Sequence, residues 1–283
     1  MNYVNPDSLI RTADLAKQLT APDIRIVDGT NQFPGQNLDP REEYSKRHIP
    51  GAVFFDTGEI ADTDSPYPNM LPSPQKFASR VSKLGLGDGC RIVVYDAAGL
   101  VSAARVWWMF RVFGHEDVAI LDGGLPKWIA ENRPVDDAPV RPDPRHFTAR
   151  VNNLLVRSVE QIQANLENRR EQVVDTRSAE RFHGQAPEAR PGLRAGHIPG
   201  SVNLPYPDLL DPKEKTLLPA NELLEKFEAA GIDLKRPIVA SCGSGVTAGV
   251  AALGLHLLGL EHVPVYDGSW SEWGSRDDLP IAT

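Results

Sequence analysis

The chain has 283 residues, with 30 Lys and Arg against 38 Asp and Glu, and a formal net charge of −8. This acidity, without a long basic run, argues against a protein that binds nucleic acid or an anionic membrane surface. The first 19 residues hold no apolar stretch long enough for a secretion signal or a membrane span, so we expect a soluble, cytoplasmic protein. The two cysteines, Cys90 and Cys242, form neither a disulfide framework nor a metal site, which fits a reducing compartment.

Short runs rich in Val and Ile alternate with helical stretches along the chain. The predicted strands are 24–28, 52–55, 91–95, 118–121, 172–175, 201–204, 237–241 and 263–266. The predicted helices are 12–19, 74–84, 103–113, 158–168, 221–230 and 246–258. This alternation predicts an α/β fold, a mostly parallel sheet flanked by helices, in which ligands bind where strands end and helices begin.

The first half of the sequence recurs in the second half. Residues 91–99 align with 237–245, a spacing of 146 residues, and three further pairs keep nearly that spacing: 26–28 with 173–175, 48–53 with 197–202, and 122–124 with 267–269. Two copies of one fold are therefore predicted. We place an N-terminal domain at 1–135, a linker at 136–154 and a C-terminal domain at 155–283, because prolines punctuate a polar stretch from Pro134 to about Leu154.

Cys242 lies at the hinge between a predicted strand and a predicted helix, and it is followed by the small residues 243–245. Glycines allow a tight turn with inward-facing N–H groups, and the helix adds the positive end of its macrodipole, so a thiolate or an anionic substrate would be stabilised there. The pattern predicts a nucleophile; a buried, inert cysteine is the alternative. Asp96 stands at the matching position of the first half, so only the second half is expected to perform thiol chemistry.

Two other classes of site share parts of this pattern. Residues 243–248 also fit the dinucleotide fingerprint G-x-G-x-x-A, with Asp267 following 24 residues after Gly243, but only 16 residues remain after Asp267, too few for the rest of such a sheet. A cysteine phosphatase closes its loop with an arginine six residues after the cysteine, where this chain has Ala248. A loop without that arginine favours attack on sulfur over phosphoryl transfer.

Three motifs carry a resemblance to a known family. The strings CGSGVTA at 242–248, YDGSWSEW at 266–273 and HIPG at 48–51 and 197–200 closely resemble the rhodanese superfamily of sulfurtransferases, and within it the two-domain 3-mercaptopyruvate sulfurtransferases, over nearly the whole chain. The resemblance implies two tandem rhodanese-like domains, the first non-catalytic. It implies transfer of sulfur from 3-mercaptopyruvate to Cys242 as a persulfide, release of pyruvate, and transfer to a thiol acceptor such as thioredoxin, or to cyanide. No cofactor and no metal are needed.

The resemblance also assigns site residues. The implied catalytic residues are Cys242 and Ser244, and the implied substrate-binding residues are Arg181, Arg190, Gly243, Gly245, Val246 and Thr247. The two arginines would clamp the carboxylate of the donor, since a planar guanidinium binds a carboxylate bidentately, and the loop would cradle the persulfide. Arg177 is expected to serve a structural pairing instead. Ser244 would polarise the substrate or relay a proton, although loop hydrogen bonding is an equal alternative.

The donor is the open question. Neutral Gly243 and Ser244 directly after the cysteine favour mercaptopyruvate, since relatives that prefer thiosulfate carry basic residues there. Against this, Gly58 and Asn69 stand where mercaptopyruvate enzymes often have an aspartate and a histidine that form a relay with the loop serine. The relay is then dispensable, or Asn69 only orients the substrate, or the donor preference has drifted. Thiosulfate sulfurtransferase and a non-catalytic sulfur-carrier or regulatory module remain the alternatives.

Overall fold

The computed structural model describes residues 2–37 and 39–283, and its two halves contain one five-stranded parallel sheet each. The first sheet comprises β1 (Leu9–Ile10), β2 (Ile24–Asp28), β3 (Val53–Phe54), β4 (Arg91–Tyr95) and β5 (Val118–Leu121), in the spatial order β1-β5-β4-β2-β3. The second comprises β6 (Val156–Arg157), β7 (Gln172–Asp175), β8 (Val202–Asn203), β9 (Ile238–Ser241) and β10 (Val265–Tyr266), in the order β6-β10-β9-β7-β8. The two orders are the same permutation, so the α/β fold and its duplication are confirmed.

Helices connect the strands of both sheets. Those of the first half are α1 (Thr12–Ala16), α2 (Pro40–Lys46), α3 (Thr57–Ile60), α4 (Pro74–Lys83), α5 (Ser102–Val112) and α6 (Gly124–Ala130). Those of the second half are α7 (Val159–Asn168), α8 (Ala179–Phe182), α9 (Ala220–Ala229), α10 (Ala248–Leu257) and α11 (Ser269–Trp273). No helix within the described part of the chain is both long and apolar enough to cross a membrane.

The predicted elements are all present, with ends that differ by at most three residues. Strands β1 and β6 were not predicted, because two residues are too few for a periodic pattern. Both are edge strands that exist through their pairing with β5 and β10. The helices α2, α3, α6, α8 and α11 were also not predicted; each has at most seven residues. The prediction was of mostly parallel sheets, but both sheets are parallel throughout. Every pair of neighbouring strands is joined by a crossover connection, which parallel strands require.

The centre of the molecule is formed by α5 and α10, the helices that follow the loops at Asp96 and Cys242. They bury 10 of 11 and 9 of 10 residues, respectively, and one apolar core runs through both halves around them. Helices that are apolar on all sides belong in such a position. Gly249 allows the close approach, because a Cβ atom there would lie 2.8 Å from the backbone carbon and oxygen of Ala104.

Each half also completes the loop region of the other half. The carboxylate of Asp267 accepts a hydrogen bond from the backbone N–H of Leu71 at 2.7 Å, and the carboxylate of Asp122 accepts one from the N–H of Leu217 at 2.9 Å. Leu71 and Leu217 are separated by 146 residues, the spacing of the repeat. Each half therefore places an equivalent segment, around Leu71 or Leu217, against an aspartate of the other half.

The segment 136–154, predicted as a linker, is held against the first half. Phe147 is buried beside Phe77, with ring centroids 5.5 Å apart. The N–H of Asp88 donates to the carbonyl of His146, and the N–H of Arg150 donates to the carbonyl of Phe113, both at 2.9 Å. The segment therefore follows a fixed path, while the domain boundaries that we place at its ends remain a prediction.

Gly249→Val should destabilise the protein by roughly 1–3 kcal/mol, because new side-chain atoms meet backbone atoms of α5 that cannot move aside. Gly254→Ala on the same helix is the matched control. Its Cβ would meet the ring of Phe227 at 3.5 Å and the side chain of Leu223 at 3.8 Å, both ordinary contacts, and alanine favours the helix. Thermal unfolding followed by circular dichroism should show a lower Tm for the first variant only. Equal Tm values for the two variants would contradict the close helix packing.

Candidate active site

A cavity of about 430 Å³ lies at the carboxyl ends of β7 and β9, and both halves contribute to its walls. The first half contributes Phe33, Pro34, Gln36, Ala98 and Val101, and the second contributes Arg177, Arg181, Arg190, Tyr206, Cys242, Gly243, Ser244, Val246 and Thr247, among others. A volume of this size suits a small metabolite. The cavity brings together all the predicted site residues except Gly245.

Cys242 follows β9 directly and is 2 % exposed, although it lines the cavity. Its N–H donates to the hydroxyl of Ser269 at 3.2 Å, and its carbonyl accepts from the N–H of Trp270 at 3.0 Å. These contacts fix the backbone on both sides of the thiol. A reactant must therefore enter the cavity to reach the sulfur.

The loop after Cys242 directs its carbonyl groups outward. The carbonyl of Gly243 accepts from the N–H of Ser271 at 2.8 Å and from its hydroxyl at 2.7 Å, and the carbonyl of Gly245 accepts from Arg105 at 3.2 Å. In a trans peptide the following N–H faces the opposite way. The N–H groups of Ser244 and Val246 therefore face away from these partners, toward the inside of the loop. Within the described residues, none of the N–H groups of residues 243–247 donates a hydrogen bond.

The equivalent loop of the first half shows what such N–H groups bind. The carboxylate of Asp96, at the position of Cys242, accepts four backbone hydrogen bonds at 2.8–2.9 Å. The donors are the N–H groups of Ala98, Gly99, Val101 and Ala103. An anion occupies the centre of the loop in the first half. In the second half Cys242 stands at the same position. Of the four equivalent N–H groups, those of Ser244, Gly245 and Thr247 have no partner within the described residues, and that of Gly249 donates to the carbonyl of Val246 at 3.1 Å.

Glu188 neutralises two of the three arginines that line the cavity, Arg177 and Arg181. Its buried carboxylate binds Arg177 at 2.6 Å and also binds Arg181. Arg177 additionally binds Asp175 at 2.6 Å and stacks on the ring of Trp270, 4.3 Å from its centroid. Arg177 is therefore a structural residue, as we expected. Arg181 reaches the cavity with its charge already compensated by a carboxylate.

Arg190 is the half-buried cation of the cavity, and it pairs with no carboxylate among the described residues. Burial lowers the pKa of its guanidinium; the charge on Cys242 opposes this shift, and Arg181 adds to it. Arg190, Arg181 and Cys242 line the same cavity. An arginine that is partly desolvated and lacks a carboxylate partner is suited to bind an anionic ligand.

Ser244 is held by Asn69, which reaches over from the first half. The side-chain amide nitrogen of Asn69 donates to the hydroxyl oxygen of Ser244 at 3.1 Å and lies 3.5 Å from its carbonyl oxygen. Since the hydroxyl oxygen is the acceptor in this contact, its hydrogen is available to another acceptor. Gly58 lies in α3 and is not part of the cavity wall.

The remaining predicted loop residues have different surroundings. Thr247 lines the cavity, and its hydroxyl lies 3.0 Å from the hydroxyl of Thr176. Gly243 and Val246 also line the cavity. Gly245, predicted to bind substrate, lies behind the wall instead: it has a φ of 73°, and a Cβ atom would lie 2.7 Å from the carbonyl oxygen of Asp267. Its positive φ shapes the loop, and its N–H corresponds to that of Gly99, which donates to Asp96, so its part in substrate binding remains a prediction.

Arg105 was not predicted, although it connects the two halves at this site. It is 1 % exposed, binds the carboxylate of Asp267 at 2.7 Å, donates to the carbonyls of Gly245 and Asn69, and stacks on Trp108 at 4.4 Å. The sequence held one signal, a charged residue within the apolar helix α5. The surroundings of Asp267 also argue against a dinucleotide site, because this carboxylate is 5 % exposed and its two oxygens bind Arg105 and the N–H of Leu71.

Comparison with known proteins agrees with this architecture. The description Rhodanese-like domain matches residues 12–131 and 158–276. Human 3-mercaptopyruvate sulfurtransferase is 44 % identical over 275 residues, which cover 95 % of this chain and 92 % of the relative. Thiosulfate sulfurtransferase of Bos taurus is 45 % identical over 278 residues, with 95 % and 92 % covered. The crystal structure of SseA from Escherichia coli has a TM-score of 0.86 and 38 % identity, covering 93 % of this chain and 98 % of that chain.

These similarities extend over both halves and both sheets. The chain belongs to the rhodanese family and contains two rhodanese-like domains. The resemblance drawn from the motifs is therefore confirmed.

Asp96→Ala should destabilise the protein by roughly 2–4 kcal/mol, because the buried N–H groups of Gly99, Val101 and Ala103 and the part-buried N–H of Ala98 lose a charged acceptor. Asp88→Ala is the control, since the carboxylate of Asp88 also accepts a backbone hydrogen bond but lies on the surface. Urea unfolding would measure both. A loss for Asp96→Ala no larger than for Asp88→Ala would show that the loop does not depend on its central anion.

Proposed function

We propose that this protein is a sulfurtransferase that takes sulfur from 3-mercaptopyruvate onto Cys242 and passes it to a second acceptor. The observation that carries the proposal is the loop around Cys242, whose N–H groups are free, whereas the equivalent loop binds the carboxylate of Asp96. Backbone N–H groups that converge on one point stabilise a thiolate and a persulfide anion without a metal. Relatives that carry the names of 3-mercaptopyruvate and thiosulfate sulfurtransferases, over nearly the whole chain, support it.

The first step is attack by the Cys242 thiolate on the thiol sulfur of the donor. A sulfur–sulfur bond forms, the carbon–sulfur bond of the donor breaks, and its electron pair leaves on carbon as the enolate of pyruvate. The enolate takes up a proton and leaves as pyruvate. In the second step an acceptor thiolate attacks the outer sulfur of the persulfide, and the Cys242 thiolate is regenerated.

Arg190 is the group that we assign to the carboxylate of the donor. It lines the cavity, lies close to Cys242 and has no carboxylate partner among the described residues. Arg181 lies beside it, and its terminal nitrogen would be 3.2 Å from a Cβ atom at Gly243. Because Glu188 compensates Arg181, we assign Arg181 a smaller share of the binding free energy.

Ser244 is the proton donor that this arrangement favours. Asn69 fixes its oxygen and leaves its hydrogen free, so the hydroxyl can donate to an oxygen of the leaving enolate. This accounts for a site in which Asn69 stands in place of a histidine. The amide positions the serine and takes no proton itself.

Thiosulfate is the second candidate donor, favoured by relatives named for thiosulfate and by Arg190, a cation without a carboxylate partner among the described residues. The neutral residues Gly243 and Ser244 disfavour it, since a compact dianion would find no cation within the loop itself.

A non-catalytic carrier module, the remaining alternative, would need neither Arg190 beside Arg181 in the cavity nor a serine oriented by Asn69. Thioredoxin-like thiols and cyanide remain the proposed acceptors, and the cytoplasmic location remains a prediction.

Incubation with 3-mercaptopyruvate, followed by mass spectrometry of the intact protein, should show the addition of one sulfur atom, and peptide mapping should place it on Cys242. Cys242→Ser should show no addition and no release of pyruvate. Cys90→Ser is the matched control and should behave as wild type, because Cys90 is buried and donates to the carbonyl of Gly87. Sulfur on Cys90, or turnover by Cys242→Ser, would disprove the assignment.

Arg190→Ala should lower kcat/KM for 3-mercaptopyruvate by the equivalent of roughly 2–4 kcal/mol, since a desolvated ion pair to the donor is lost. Arg181→Ala should lower it less, because Glu188 already neutralises Arg181. Arg170→Ala on the surface is the control and should not change it. Steady-state kinetics with each donor would measure all three. An equal effect of Arg181→Ala would contradict the unequal shares of the two arginines, and a larger effect would reverse their roles.

A further inference from the structure

The first half contains a larger cavity, of about 570 Å³, that the proposed reaction does not use. It lies at the carboxyl ends of β2 and β4, the place that the active-site cavity occupies in the second half. Its lining includes Asp28, Thr30, Tyr44, Leu125 and Ile129. It has Phe33, Gln36 and Ala98 in common with the lining of the active-site cavity, so the two cavities are neighbours.

Comparison of the two repeats shows why this space is open. Asp28 and Asp175 end the equivalent strands β2 and β7, and each accepts the N–H of the residue two positions later, at 2.9 and 3.0 Å. In the second half that residue is Arg177, whose guanidinium binds the carboxylate of Asp175 and stacks on Trp270.

In the first half both partners of the carboxylate are smaller. Thr30 corresponds to Arg177 by its position after the aspartate, and Leu125 corresponds to Trp270 by its position three residues after the repeated Asp122 and Asp267. Both Thr30 and Leu125 line the cavity. The side chains of Arg177 and Trp270 fill this space in the second half, whereas the smaller Thr30 and Leu125 leave a cavity in the first half.

The carboxylate remains although its cation is absent. Asp28 is 2 % exposed and accepts hydrogen bonds from the N–H and the hydroxyl of Thr30, but it forms no ion pair with any described residue. The nearby hydroxyl of Tyr95 accepts a hydrogen bond from the N–H of Ile49 and brings no positive charge to Asp28. Burial raises the pKa of Asp28 to about 6, as expected for a buried carboxylate without a counter-ion.

We propose that this cavity binds a small organic cation, a guanidinium or primary ammonium group on an apolar stem, with the cation on the carboxylate of Asp28. The cation would take the place that the side chain of Arg177 has in the second half. Phe33, Leu125 and Ile129 provide the apolar walls for the stem.

The other charged and titratable groups around Asp28 are compatible with a cation. Glu43 on α2 lines the cavity and adds negative charge, while Arg47 lies at its exposed rim. Tyr44 on α2 is a neutral phenol that donates to the carbonyl of Ala52. Asp96 on the next loop is already bound to four N–H groups. Arg47 forms no ion pair with Asp28, nor does any other cation of the described residues.

Isothermal titration calorimetry with methylguanidinium and with methylammonium tests the proposal on the intact protein. We expect saturable binding of one cation per chain, unchanged in Cys242→Ser, which separates this site from the proposed reaction. Acetate is the control ligand and should not bind in this cavity. Absence of saturable binding of either cation at millimolar concentration would overturn the proposal.

Two variants locate the site. Asp28→Asn keeps the volume and removes the charge, and the double substitution Thr30→Arg with Leu125→Trp supplies the internal cation and ring of the second half. Each should weaken binding by at least about tenfold, whereas the exposed control Glu167→Gln on α7 should leave it unchanged. Circular dichroism melting would verify that each variant is folded. Wild-type affinity in both folded variants would overturn the proposal.

The pH dependence supplies an independent readout. Asp28 is charged above its pKa of about 6 and neutral below it, so cation affinity should be constant at higher pH. It should fall by about tenfold per pH unit as the pH decreases below that value. The Asp28→Asn variant should lose this dependence. A wild-type affinity that stays constant from about pH 8 down to about pH 5 would contradict the role of Asp28.

Discussion

The close packing of α5 against α10 is the constraint on which the rest of the structure depends. Each helix begins at the end of a loop that encloses Asp96 or Cys242, so the crossing of the helices fixes the position of both loops. It also brings each half close enough to place a segment over the other, as the bonds of Leu71 and Leu217 show. The active site is therefore a property of the pair of domains, because neither half contains all of its walls.

The two loops represent one solution to the binding of an anion, used in two ways. In the first half the carboxylate of Asp96 satisfies the N–H groups permanently, which stabilises the fold and leaves no chemistry. In the second half the smaller side chain of Cys242 leaves three of the four equivalent N–H groups, those of Ser244, Gly245 and Thr247, without a partner within the described residues. Buried N–H groups without a hydrogen-bond partner destabilise the fold. A thiolate, a persulfide or an anionic substrate that accepts their hydrogen bonds would remove this destabilisation. The same geometry thus serves structure in one repeat and reactivity in the other.

Much of this organisation could be predicted from the sequence, because it depends on local pattern. Runs of Val and Ile marked eight strands, the 146-residue spacing marked the duplication, and the hinge position marked Cys242. The ion pairs that decide which arginines of the site are neutralised could not be predicted. Glu188 neutralises Arg181 but not Arg190, and this follows from the path of a loop without periodicity. The pairing of Arg105 with Asp267 joins residues 162 positions apart, a separation that no local pattern reveals.

Arg105 explains why a domain without a nucleophile contributes to a catalytic loop. Its bond to the carbonyl of Gly245 holds that peptide so that the N–H of Val246 faces the inside of the loop. Its bond to the carbonyl of Asn69 fixes the residue that positions Ser244. Two features of the site, the anion-binding N–H groups and the oriented hydroxyl, thus depend on one buried cation from the first half. Because the ion pair with Asp267 is buried, removal of either partner would leave an uncompensated charge beside the loop. The first half therefore supports the site through α5 even though it carries Asp96 where the second carries Cys242.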